Sequence, residues 1–235
     1  MASLQYRGSG DARVRYDADV AHASVRVLCG VILAGSAAAG FERSLDLPLI
    51  NAATAIGESR IESVHTQFHQ PYRIPVDSPP IDHIDIVTPF RQIVRVAEER
   101  SLAGARPLGT QALLDAVGDR LRLVEIAVEL TFHPLNAYAG VPLFEVELSS
   151  GTPPTRILPA QTSRVPRFGA RVEGAPRLTE SVPLNVPGPS EPMLGGTIIA
   201  GFDALGLDPT GVYEVVVKEG EQELARAQMN LGNVR

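Results

Sequence analysis

Leu207-Asp208-Pro209-Thr210-Gly211-Val212-Tyr213, close to the end of this 235-residue chain, is the stretch that decides the fold. A proline, an Asp and a Gly within five residues mark a tight corner. Apolar runs flank it on both sides. Thr197 to Phe202 reads as a strand entering the corner. After it, Val215 and Val217 alternate with Glu214 and Val216, the period of a strand. Glu219-Gly220-Glu221 makes a turn, and Leu224 to Leu231 returns as a final strand. Further upstream, Val124, Ile126, Val128, Leu130 and Phe132 alternate with Glu125, Ala127, Glu129 and Thr131, which predicts a strand with one buried face. Pro134 stops it, and Val141 to Leu148 follows as another strand. Residues 149–196 are rich in Pro and Gly, including Pro153-Pro154 and Pro187-Gly188-Pro189. Such a stretch suits edge strands and long loops, where proline's missing N–H costs little.

The corner resembles that of immunoglobulin-like and fibronectin type III-like sandwiches, with Asp208, Gly211 and Tyr213 at the positions of the tyrosine corner. The resemblance covers about 115 residues. It implies that the Tyr213 hydroxyl bonds backbone in the corner while its ring enters the core. Trp is absent and Cys29 is the single cysteine, so the disulfide and core Trp of antibody domains are missing. The resemblance speaks for a fold and is nearly silent on function.

The first half of the chain is mixed. Leu45 to Ile56 is apolar with weak periodicity. Residues 61–76 read as a strand interrupted by Pro71 and Pro75, and Pro79-Pro80 marks a loop. Ile81 to Val87 is a short strand. Thr88 followed by Pro89 predicts a helix start, a hydroxyl cap with proline at the first helical position. Phe90, Ile93, Val94 and Ala97 form one apolar stripe on that helix, with Arg91, Arg95, Glu98 and Glu99 elsewhere on the wheel. Gly104 ends it, and a second short helix runs from Thr110 to Val117.

Arg26 precedes the apolar run Val27 to Gly35 and then Ser36-Ala37-Ala38-Ala39-Gly40. Positive charge, apolar run and A-x-A end form the layout of a secretory signal peptide. The run is too short for a spanning helix, which takes about 20 residues. A buried helix or an uncleaved anchor are the other readings. A lipidated Cys29 fits poorly, because Arg26 stands three residues before it.

Composition excludes several function classes. The net charge of −6, with no basic block, provides no attraction for nucleic acid or an anionic membrane. Sparse aromatic residues argue against a stacking platform for sugars or bases. One cysteine rules out an internal disulfide and a multi-thiolate zinc site. There is no G-x-S-x-G, P-loop or dinucleotide fingerprint, so no cofactor is expected.

One constellation carries possible chemistry. Glu58, Glu62, His65 and His69 are spaced by four, three and four, so on a helix they share a face. Glu62-Ser-Val-His65 has the Glu-x-x-His form of helical metal sites, and the donor set suits Zn or Fe. On a strand, Glu62 and His65 would instead face opposite ways. Asp82, His83 and Asp85 form a second polar cluster, and His133 ends a strand as a packed or capping residue. Arg156, Arg164, Arg167, Arg171 and Arg177 are scattered through the Pro-rich stretch, either as solvated loop residues or as a basic patch.

These readings combine into a mainly β protein with a few helices. Residues 1–39 form a signal peptide or N-terminal anchor containing an apolar helix. A small α/β portion spans 40–118, and an immunoglobulin-like β-sandwich spans 119–235. The expected function is that of an exported, non-enzymatic module of the periplasm, envelope or extracellular space that binds a protein partner. The alternative is a metal-dependent hydrolase with Glu58, Glu62, His65 and His69 around the metal.

Overall fold

A computed structural model describes residues 40–133, 136, 138, 140–168 and 193–235. The signal-peptide reading, Cys29, Arg171, Arg177 and Pro187-Gly188-Pro189 lie outside these residues. The described part is mainly β, with four α-helices and two antiparallel sheets. Helices α1 (Leu47–Gly57) and α2 (Glu62–His69) come first, then strands β1 (Arg73–Ser78) and β2 (Ile81–Val87). Helices α3 (Pro89–Leu102) and α4 (Thr110–Val117) follow. The remaining strands are β3 (Leu123–Thr131), β4 (Glu145–Ser150), β5 (Thr155–Ile157), β6 (Gln161–Phe168), β7 (Met193–Asp203), β8 (Val212–Glu219) and β9 (Gln222–Asn230).

The larger sheet has the order β1-β2-β3-β7-β6 and the smaller one β5-β4-β8-β9. Buried side chains from both meet in one core: Ile84, Ile126, Val128 and Ile198 from the first, Val146, Leu148, Val215 and Val217 from the second. Two antiparallel sheets sharing one apolar core are compatible with a β-sandwich. The alternation along β3 accounts for Val124, Ile126, Val128 and Leu130, all inward. The other face is also partly closed, which the alternation did not predict. Glu125 is buried and receives two hydrogen bonds from Arg120, at 2.8 and 2.7 Å, from the 3₁₀ turn Gly118–Arg122. Arg120 supplies the partner that a buried carboxylate needs. Likewise Glu147 on β4 is buried and paired with Lys218, the chain's one lysine, and with Arg156.

The corner before β8 has the geometry expected of it. Tyr213 is buried, and its hydroxyl oxygen accepts the Asp208 N–H at 2.7 Å. Gly211 donates to the Asp208 carbonyl at 2.9 Å. A Cβ on Gly211 would lie 2.7 Å from the Tyr213 ring, so only glycine lets the ring fold back over the turn. Tyr213→Phe is expected to lower stability by about 1 kcal/mol, because it leaves a backbone N–H without its partner. Urea denaturation should show a reduced midpoint at unchanged slope.

The helices form a second cluster. Ile50 and Ala53 of α1, Phe90, Ile93 and Val94 of α3, and Leu113 and Val117 of α4 are buried together. The caps explain the helix starts. The Thr88 hydroxyl accepts the Arg91 N–H at 3.2 Å with Pro89 next to it, and Asp46 accepts the Leu49 N–H at 2.9 Å ahead of α1. Residues 62–69 correct the sequence reading: they are helical, and the strand begins only at Arg73. No side chain caps α2. Its place is set by packing, since Phe68 lies 5.1 Å from the Tyr72 ring and 6.1 Å from the Phe90 ring. Among the described residues no helix is long and apolar enough to cross a membrane.

Candidate functional site

Helix α2 presents His65 and His69 one turn apart, on the same face. The carboxylate that meets them is Glu98 of α3, which is neither of the two glutamates singled out by spacing. Glu98 Oε1 lies 2.7 Å from His65 Nδ1, and Oε2 lies 2.8 Å from His69 Nε2. The three ligand atoms all fall within 4.8 Å of one another. Glu58 instead follows α1 and lines a cleft with Arg60, Arg100 and Leu108, and Glu62 is exposed. The site is half-buried: His65, His69 and Glu98 side chains are 16, 23 and 23% exposed.

The partners assign the protons. Arg91 only donates, and its Nε meets His69 Nδ1 at 3.2 Å. His69 Nδ1 is therefore the acceptor, and Nε2 carries the proton given to Glu98. The Ser59 carbonyl only accepts, and it lies 2.7 Å from His65 Nε2, so that nitrogen carries a proton. Burial by itself would raise the pKa of Glu98. The hydrogen bonds from His69 and His65 outweigh it and hold the carboxyl below its ordinary range. For the 2.7 Å contact between His65 Nδ1 and Glu98 Oε1 to be a hydrogen bond, a proton must lie between them as well. Burial lowers the His69 pKa, the Arg91 charge adds to this, and the Glu98 hydrogen bond opposes it.

Arg91 was placed on the polar side of α3 by the helical wheel, but it is buried. Its Nη1 donates to the Ile86 carbonyl at 2.6 Å, its Nη2 lies 3.6 Å from Asp85 Oδ1, and its guanidinium carbon sits 4.8 Å from the centre of the Tyr72 ring. A charge is tolerated there because each edge of the guanidinium has a partner. Asp85 links this network to the second polar cluster. Arg73 donates to it at 3.2 and 3.3 Å, and His83 Nε2 lies 3.7 Å away. Burial opposes ionisation of Asp85, yet the Arg73 hydrogen bond and the nearby Arg91 charge hold its pKa below the usual value. Asp82 is exposed and bonds His83 Nδ1 at 2.9 Å. All three residues lie on β2.

The loop arginines are similarly engaged. Arg156 pairs with Glu147, Arg164 donates to the Pro142 and Phe144 carbonyls, and Arg167 donates to the Leu130 carbonyl and Glu129. Comparison of the chain with protein-family models, curated proteins and solved structures finds no match.

Proposed function

We propose that this chain is an exported, non-enzymatic module of the cell envelope or extracellular space, and that it engages a protein partner through an immunoglobulin-like sandwich. Strand order supports the fold part of this reading. With β2, β3, β7 and β6 taken as strands A, B, E and D, and β5, β4, β8 and β9 as C′, C, F and G, the two strand orders are compatible with that fold, with β1 added beyond strand A. Tyr213 then stands at the start of the F equivalent, where the tyrosine corner belongs. The charged, apolar and small-residue sequence of residues 26–40 supports export.

The observation that carries the binding part is the edge of β6. This strand ends its sheet and pairs only with β7 among the described residues. Val165 and Phe168 on it are 52 and 54% exposed. The far edges of the two sheets differ from it, because the Ser78 hydroxyl of β1 donates to the Leu224 carbonyl of β9 at 2.6 Å. A strand at the end of its sheet among the described residues, with apolar side chains exposed, suits addition of an extended strand from a partner. Pull-down from a cell-envelope extract is expected to recover a partner with the wild-type protein and not with Val165→Asp/Phe168→Asp. Recovery of nothing above background, together with a purely cytosolic location, would remove this reading.

A further inference from the structure

We propose that His65, His69 and Glu98 bind a divalent transition-metal ion of the zinc class, which clasps α2 to α3. This goes beyond partner binding and does not depend on it. Two imidazoles and a carboxylate are a donor set that zinc uses, with water filling the fourth position. The donors come from two helices, and their ligand atoms already lie within 4.8 Å of one another. Partial exposure of all three side chains leaves a route for the ion and its water.

His65 carries the strongest part of the case. A metal-bound imidazole ordinarily gives its other N–H to a carbonyl or carboxylate, which fixes the ring. His65 Nε2 makes that bond to the Ser59 carbonyl at 2.7 Å, so Nδ1 is the nitrogen aimed at the site. The proton held between Nδ1 and Glu98 Oε1 occupies the place a cation would take. On loading, that proton goes to solvent. Two ligands of a tetrahedral zinc stand roughly 3.4 Å apart, so the 2.7 and 2.8 Å contacts to Glu98 must open. A carboxylate on a half-exposed side chain can give this by a small rotation.

His69 is the weaker ligand. For its Nε2 to take the metal, the ring proton moves to Nδ1 and the 3.2 Å bond from Arg91 breaks. Arg91 remains held by the Ile86 carbonyl, Asp85 and the Tyr72 face, so its charge stays nearby and opposes the ion. The site is thus weaker than one in which all three ligands are free of cationic neighbours.

The test uses the full chain, stripped with a chelator and titrated with zinc chloride alone. Calorimetry should show one ion per chain, and the thermal midpoint should rise with zinc and fall back on chelation. Glu98→Gln and His65→Ala should each weaken binding at least tenfold, while Glu58→Gln and Glu62→Gln bind as the wild type does. Zinc X-ray absorption of the loaded wild type, which needs no variant to fold, should report two imidazole ligands. Absence of stoichiometric binding, fewer than two imidazoles, binding retained in Glu98→Gln, or binding lost in Glu62→Gln would each overturn the assignment.

Discussion

Replacing Phe90 with alanine is expected to destabilise the protein by about 3–5 kcal/mol, the range for truncating a fully buried phenylalanine. Phe90 is completely buried in the first turn of α3, in the cluster that also holds Ile50, Ala53 and Leu113. Part of the cost is lost transfer of the ring out of water, and part is the cavity left behind. Collapse into that cavity is restricted. The Phe68 ring lies 6.1 Å away on one side, and the Arg235 guanidinium carbon is 4.6 Å from the ring centre. The guanidinium loses a favourable ring face as well, which adds to the cost.

The Phe90 effect should also reach beyond the helices. Phe68 packs against both the helical cluster and the core between the sheets, so the Phe68–Phe90 contact joins the two. Phe68 shares α2 with His65 and His69, so loosening it also loosens the two histidines that face Glu98. Phe90→Leu keeps most of the volume and should cost under about 1.5 kcal/mol. Guanidinium denaturation of the two variants checks this. A Phe90→Ala loss no larger than that of Phe90→Leu would mean that the helical cluster does not unfold together with the sheets.

The parts of the fold that local chemistry decides were legible in the sequence. Ile81 to Val87 and Thr110 to Val117 have their read bounds, and α3 starts at Pro89 because Thr88 caps it. The corner from Asp208 to Tyr213 was legible for the same reason: the two hydrogen bonds that close it, Asp208 N–H to the Tyr213 hydroxyl and Gly211 N–H to the Asp208 carbonyl, join residues at most five apart. Helix α2 was not. Ile61, Val64, Thr66 and Phe68 are residues that favour strands, and eight residues without a cap hold little helix of their own. Tertiary contacts of Phe68, His65 and His69 decide it. The site was half legible. Spacing placed His65 and His69 on one face, but their carboxylate is 33 and 29 residues away, on a helix whose Glu98 reads as solvated. Arg91 escaped for a related reason. An arginine can be buried only where separate elements supply its partners, and Ile86, Asp85, Tyr72 and His69 are brought to it by the fold.

Gly57→Ala is the second large effect, and two opposing terms decide its sign. Alanine is favoured over glycine within a helix by about 1 kcal/mol, and by less at the last residue of α1. Against this, a Cβ on Gly57 would stand 2.4 Å from the Val94 carbonyl oxygen, 2.7 Å from the Ala97 Cβ and 2.9 Å from the Glu98 nitrogen. Two of these contacts are backbone, so no side-chain rotation relieves them, and α1 must move away from α3. Overpacking of this kind costs about 1–3 kcal/mol, which outweighs the helix term. Gly206, where a Cβ meets nothing within 4 Å, is the control, and its alanine variant should stay within about 0.5 kcal/mol of wild type. The strain falls on the backbone of Glu98, the residue between the two histidines. Gly57→Ala should therefore weaken zinc binding as well as stability, although it removes no ligand. Wild-type stability and wild-type zinc affinity in Gly57→Ala would together mean that α1 does not hold α3 at the spacing that places Glu98.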